Sequence, residues 1–159
     1  MSDKKKNLKI VFIAVGIGLV TAVGVVLYLF NQPARDVQNA KTDFSYQASN
    51  IVNEYLTDSQ KANDKYLDEE GESKILEVTG TIADILEDYN KQKVVLLQSE
   101  GDKAGVSCTF TPETNANAAK LKKGDVVTIK GVIRSGATYD EDLEMYENVI
   151  IEKSDVVVK

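Results

Sequence analysis

Three features of the sequence predict an α+β chain with an all-β core. They are a strand, strand, strand, short helix, strand, strand order after residue 74, a glycine inside a long first strand, and an N-terminal run of twenty-one uncharged residues. That order is the one found in the OB-fold, a five-stranded, partly open barrel with a helix between its third and fourth strands. A small β-sandwich is the competing architecture, and it would not ask for a helix there. The uncharged run predicts a transmembrane helix ahead of the barrel.

Composition limits the reading before any motif does. A chain of 159 residues suffices for one domain plus an appendage. With 43% apolar residues it can bury a core, and at a net charge of −6 it lacks the basic excess of a nucleic-acid binder. The absence of histidine and the single Cys108 remove Ser-His-Asp and Cys-His nucleophile pairs, histidine metal sites and an intramolecular disulfide. No cofactor, no metal and no catalytic residue is expected.

The uncharged run is Ile10–Phe30. As a helix it would be about 32 Å long, matching a hydrocarbon core of about 30 Å. A cleaved secretion signal has a shorter apolar region and a small-x-small cleavage site, whereas this run exits through Asn31, Gln32, Pro33 and Ala34. An uncleaved signal-anchor is therefore the preferred reading. Lys4, Lys5, Lys6 and Lys9 precede the run, which keeps the N-terminus cytoplasmic and sends the rest to the periplasmic or extracellular side of the cytoplasmic membrane. With those lysines and Asp3 set aside, 15 basic and 24 acidic residues remain, a net charge of −9 for the exported part. Ala14, Gly18 and Ala22 share one face of the span and are candidates for helix packing and homo-oligomer formation.

The domain plan is a basic flank at 1–9, a span at 10–30, a polar linker at 31–42, helices at 43–70 and the barrel at 74–159. Ser45 is placed to cap a helix with an apolar stripe of Ala48, Ile51, Val52, Tyr55 and Leu56. Asp58 or Ser59 would cap a second helix carrying Ala62, Tyr66 and Leu67. The run Asp68–Glu72 reads as a solvated acidic loop without the ligand spacing of a calcium loop.

In the barrel, Ile75–Leu86 is the first strand, bent at Gly80. Lys93–Gln98 is the second, with the run Val94–Leu97 suggesting burial on both faces. Gly105–Thr111 is the third, and its alternation points Cys108 inward. Thr111 as N-cap and Pro112 at the first position predict a helix to about Leu121. Val126–Arg134 is the fourth strand, Ser135–Leu143 a polar loop, and Asn148–Lys153 the last strand. Lys120, Lys122 and Lys123 complement the helix dipole rather than form a phosphate patch.

The segments at 62–82 (ANDKYLDEEGESKILEVTGTI), 105–110 (GVSCTF), 121–133 (LKKGDVVTIKGVI) and 148–152 (NVIIE) resemble the tRNA_anti-like family across roughly residues 43 to 153. The resemblance implies an OB-fold preceded by a helix with an A-x3-Y element, here Ala62 and Tyr66, in exported or membrane-anchored bacterial proteins. It leaves the ligand open. The chain departs from the pattern in an acidic insertion before strand one and in a long acidic loop after Gly131.

Function follows from these parts. The expected role is a non-catalytic, membrane-anchored binding module of the cell envelope, recognising a protein, peptide or glycan. Its candidate contacts are Tyr89, Lys91 and Lys93 around the first barrel loop, and Arg134 and Tyr139 around the last. Oligonucleotide or oligosaccharide binding through the OB face is the alternative. A groove of Lys91, Lys93, Lys103 and Arg134 would serve nucleic acid, against the repulsion of an acidic domain. The carboxylate pairs Asp84 and Glu87, and Asp140 and Asp142, read as solvated surface rather than acid-base machinery.

Overall fold

The computed structural model describes residues 21–28 and 35–158. The chain divides into two compact units, Met1–Arg35 and Asp36–Lys159. In the first, residues 21–28 are helical, and Val23, Val25, Val26, Leu27 and Tyr28 are exposed. Ala22 belongs to this helix, while Ala14, Gly18 and the remainder of the expected span lie outside the described residues. Among the described residues no helix is long and apolar enough to cross a membrane.

The second unit is a closed barrel of mixed strands. Its barrel strands are β2 (Ile75–Glu87), β3 (Lys93–Leu97), β4 (Val106–Phe110), β5 (Val126–Ser135) and β8 (Val149–Val156), with β1 (Phe44–Gln47) added outside them. They run in the order β2-β3-β4-β8-β5, and β5 returns to β2. The antiparallel β2–β5 ladder runs from Ile75↔Val132 to Thr81↔Val126, while Ile82–Glu87 turn to β3. One long strand thus serves both halves of the barrel and leaves no gap between the first and fourth barrel strands. β4 and β8 are parallel.

The irregularity in β2 lies just past Gly80. The register shifts between Ile82 and Asp84, not at Gly80. At Gly80 a Cβ would sit 3.0 Å from Ala48 Cβ and 3.1 Å from Leu97 Cβ, so the missing side chain lets a helix pack closely on the barrel.

That helix is α1 (Ala48–Thr57), followed by α2 (Ser59–Tyr66). Helix α1 starts later than expected, because residues 44–47 pair in parallel with β2 at Leu76–Thr79. Ser45 is therefore a strand residue, and the N-cap position falls to Gln47, which makes no side-chain cap bond. The added strand covers an edge of β2 that would otherwise display unpaired backbone groups. Asp58 caps α2 as expected, accepting from Lys61 N at 3.0 Å. The amphipathic pattern of α1 has its cause in packing: Ala48, Ile51, Val52 and Tyr55 join one core with Val78, Leu97, Ile129 and Ile133 of the barrel.

The helix between the third and fourth barrel strands is one turn, α3 (Asn115–Ala118), shorter than predicted. Thr111 caps the turn that leads into it, its Oγ1 accepting from Thr114 N at 3.4 Å while Thr114 Oγ1 accepts from Thr111 N at 2.9 Å. In β3, Val95 and Leu97 are buried while Val94 and Leu96 are half-buried, so burial is strong on one face only. Cys108 is buried as expected. The loop at 135–143 is not irregular throughout: β6 (Thr138–Asp140) pairs with β7 (Met145–Glu147) as a separate two-stranded hairpin. The last strand extends to Val156.

Residues 36–42, within the expected linker, lie on the barrel. Val37 is buried with Ile75 and Val132. Gln38 Nε2 donates to Lys130 O and Lys153 O, and Lys130 Nζ donates to Gln38 O and Ala40 O.

Candidate functional site

Registers place the two loops of interest at opposite ends of the β3–β4 face. β3 begins at Lys93 beside the β2–β3 loop and ends at Leu97, which pairs with Val106, itself paired with Val149 just after the β5–β8 connection. Between these ends the half-buried residues of the face are Val94 and Leu96 on β3 and Ser107 and Thr109 on β4. None is aromatic and none is basic, so this face lacks both parts of a single-strand stacking groove.

The β2–β3 loop is fixed from within. Asp88 Oδ1 accepts from Asn90 N and Gln92 N, both at 2.8 Å. Asn115 of α3 donates to Lys91 O and accepts from Lys93 N. Tyr89 stands fully exposed at the tip, and Lys91 takes a left-handed conformation with φ 62°. Lys93 Nζ is paired with Glu87 at 2.9 Å.

The other end is built by three elements. Tyr139 of β6 and Tyr146 of β7 are direct cross-strand partners with ring centroids 4.8 Å apart. Lys103, in the β3–β4 loop, lies 5.5 Å from the Tyr146 ring. Asp102 steadies that loop by accepting from Ser49 Oγ of α1 at 2.6 Å and from Ser99 N at 3.2 Å. Asn148 Oδ1 accepts from Gly105 N, tying the hairpin's exit to the same loop. Facing them is the elbow between α1 and α2. The result is a cleft of about 500 Å³ lined by Tyr55, Asp58, Gln60, Lys103, Tyr139 and Tyr146 among others.

Tyr55 gives this cleft its wall. It is buried, and its ring lies so close to Gly136 that a Cβ there would fall 1.9 Å from the ring carbons. Its hydroxyl has no hydrogen-bond partner among the described residues, and burial, with the Glu54 charge nearby, pushes its pKa up to about 12. It remains a neutral donor at all physiological pH values.

The structure brings Tyr89 and Lys91 of the β2–β3 loop together with Lys93 at the start of β3 and puts Tyr139 at the far end. Arg134 is on β5, with Nε 2.9 Å from Glu152 Oε2. Lys91, Lys93, Lys103 and Arg134 therefore line no shared groove. Asp84 is paired with Lys123 at 2.6 Å; that hydrogen bond, then one from Ile85 N, holds its carboxyl below the usual range. With Glu87 engaged by Lys93, this pair offers no acid-base couple. Asp140 instead accepts from Asp142 N and Leu143 N and shapes the hairpin turn. Among the described residues no cluster of three His, Cys, Asp or Glu side chains is placed to hold a metal ion.

Tyr55 and Tyr146 escaped the sequence reading of the site. Tyr55 looked like ordinary core, and only the fold sets it against Gly136. Tyr146 had a local signal, because Thr138-Tyr139-Asp140 and Met145-Tyr146-Glu147 flank an Asx-type turn in the pattern of a short hairpin.

Comparison with known proteins agrees with the architecture. The tRNA_anti-like family model matches residues 1–141. A proposed nucleic acid-binding lipoprotein from Klebsiella pneumoniae subsp. pneumoniae is similar in structure, with TM-score 0.52 and 22% identity over 80% of this chain and 100% of that one. OBody NL8, solved bound to hen egg-white lysozyme, matches with TM-score 0.37 and 22% identity over 54% of this chain and 96% of its own. No protein of curated function matches.

Proposed function

Since the chain belongs to the tRNA_anti-like family, we propose that it works as a non-catalytic binding module of the bacterial cell envelope, anchored in the cytoplasmic membrane by residues 10–30. Its N-terminus is cytoplasmic and its barrel periplasmic or extracellular. The lysines before the uncharged run and the acidic balance after it support that orientation. Small residues at 14, 18 and 22 give the span a face for self-association.

The observation that carries the binding role is the cleft between the α1–α2 elbow and the β6–β7 hairpin, where the tilted Tyr139 and Tyr146 rings and Lys103 gather at its rim. Aromatic rings with a polar tip are efficient contact surfaces for protein, peptide or glycan. The cleft volume falls in the range of recognition pockets. Charged groups nearby are paired or solvated rather than poised as acid and base, which favours binding over chemistry.

A photo-crosslinker placed at position 139 of the full-length protein in its native membrane tests this. Adducts from position 139 that are absent from position 123, at the opposite end of the barrel, support the module. Equal labelling from both sites, or none from either, counts against it. Fractionation of the intact chain into the cytosol would remove the anchored part of the reading.

Nucleic acid is the second reading, brought forward by the description of the Klebsiella protein. Tyr89 and Lys91 at the β2–β3 loop are the residues that would serve it. The acidic charge of the domain and a β3–β4 face without aromatics or bases oppose it. Filter binding of single-stranded oligonucleotide across a salt series decides, since tightening at low salt that is lost in Tyr89→Ala would favour nucleic acid.

A further inference from the structure

We infer that the β6–β7 hairpin is a docking arm for a cationic protein segment, which lays lysine or arginine side chains along the ribbon's carboxylates and an apolar side chain against Leu143 and Met145. This rests on the binding-module reading and adds the chemistry of the partner.

Between Gly136 and Asn148 the chain carries Asp140, Glu141, Asp142, Glu144 and Glu147, and no base. None of the five has an ion-pair partner among the described residues. The ribbon has three residues per strand and pairs only with itself, the kind of hairpin that is marginal in water without further packing. Its Tyr139–Tyr146 pair meets Lys103 at the cleft, but Leu143 at the tip and Met145 on β7 are 66% and 53% exposed. Cross-strand partners add no charge compensation, since Asp140 faces Met145 and Thr138 faces Glu147. Two large apolar side chains left in water among repelling carboxylates are both relieved by one occupant, a basic segment with an apolar anchor. A polyphosphate or an acidic glycan would meet repulsion instead.

One further observation agrees. Glu144 holds a left-handed backbone, φ 52°, where glycine or asparagine would be at ease. A carboxylate there adds charge at the expense of local comfort, which suits a role outside the fold.

The test uses the full-length protein in neutral-lipid nanodiscs and a fluorescent peptide of lysine–serine repeats flanking one leucine. Its counterpart with glutamate for lysine and a labelled oligothymidylate serve as comparisons. The lysine peptide is expected to bind, weakening as salt rises, and Glu141→Gln with Asp142→Asn and Glu147→Gln is expected to weaken it about tenfold or more. Glu144→Gly is the decisive variant: removing a carboxylate while relieving the turn, it should raise the melting temperature and weaken the peptide together. Equal binding by these variants, or preferred binding of the glutamate peptide or oligothymidylate, overturns the inference. If crosslinks from position 139 persist while the lysine peptide fails to bind, the cationic partner falls and the module stands. If both fail, both fall.

Discussion

The Tyr66 hydroxyl donates a 2.6 Å hydrogen bond to Glu54 Oε2, joining α2 to α1 through two side chains that are twelve residues apart. Lys65 Nζ donates to Glu54 Oε1 at 2.8 Å and to Tyr46 at 2.9 Å, and lies 4.7 Å from the Tyr66 ring centroid. With Phe44 set edge-on to Tyr66, one carboxylate, one ammonium and three rings bind the helices to the added strand β1. The A-x3-Y element, Ala62 and Tyr66, both fully buried, is the part of α2 that enters this junction.

Stability should therefore depend on Glu54 in a defined direction. Burial raises its carboxyl, but hydrogen bonds from Lys65 and Tyr66 and the Lys65 charge outweigh that and hold it below 4.5. A carboxyl depressed in the fold stabilises above its unfolded value and loses that contribution as pH falls through the folded one. The melting temperature should drop more steeply below about pH 4.5 in the wild type than in Glu54→Gln. Tyr66→Phe should cost about 1–3 kcal/mol in denaturant unfolding at neutral pH. A flat pH profile with an unaffected Tyr66→Phe would show the junction to be energetically idle.

Gly136 and Tyr55 set the second expectation. A Cβ at Gly136 would fall 1.9 Å from two Tyr55 ring carbons and 2.5 Å from a third, so Gly136→Ala must displace the ring or the backbone that leads into β6. Overpacking of this kind costs about 1–3 kcal/mol. Calorimetry should show the loss, and Gly136→Ala combined with Tyr55→Leu should recover part of it. Additive losses in the pair would separate the two residues.

Cys108 should be inert in the folded protein. It is fully buried between Val95 and Ile151 in the barrel registers, and burial pushes its thiol well above the usual range. A thiolate is the reactive species, so alkylation should proceed only through unfolding, and its rate should rise with denaturant. Rapid labelling of the native protein at neutral pH would contradict the packing.

The segment 36–42 should be protected from proteases as long as it stays docked. Val37 is 3% exposed beside Ile75 and Val132, and Lys130 holds the carbonyls of Gln38 and Ala40. Val37→Asp would bury an unpaired charge at a cost of several kcal/mol if the segment stayed in place. The expected response is release, seen as new cleavage within 36–42 by limited proteolysis with the barrel's melting temperature changed far less. Cleavage of the wild type at the same rate would mean that docking does not protect it.

Local pattern carried much of the fold. Alternation along 75–87, 106–110 and 126–135 marks strands because one face of each must be buried, and it correctly turned Cys108 inward. Asp58 revealed a helix start because its carboxylate supplies an acceptor for a free backbone N–H at N3. The same local logic failed at Ser45, whose capping chemistry yielded to pairing with β2.

By itself, then, the sequence determined where the five barrel strands and the two helices before them lie, which faces are apolar, the acidic balance and the order of a barrel. Those properties reside in neighbouring residues and their spacing. Only the tertiary structure decided that β5 closes on β2, that residues 36–47 belong to the barrel's surface, and that Tyr55, Lys103, Tyr139 and Tyr146 border one cleft. Those arrangements join residues tens of positions apart, and their choice is made by packing across strands, where local periodicity is silent.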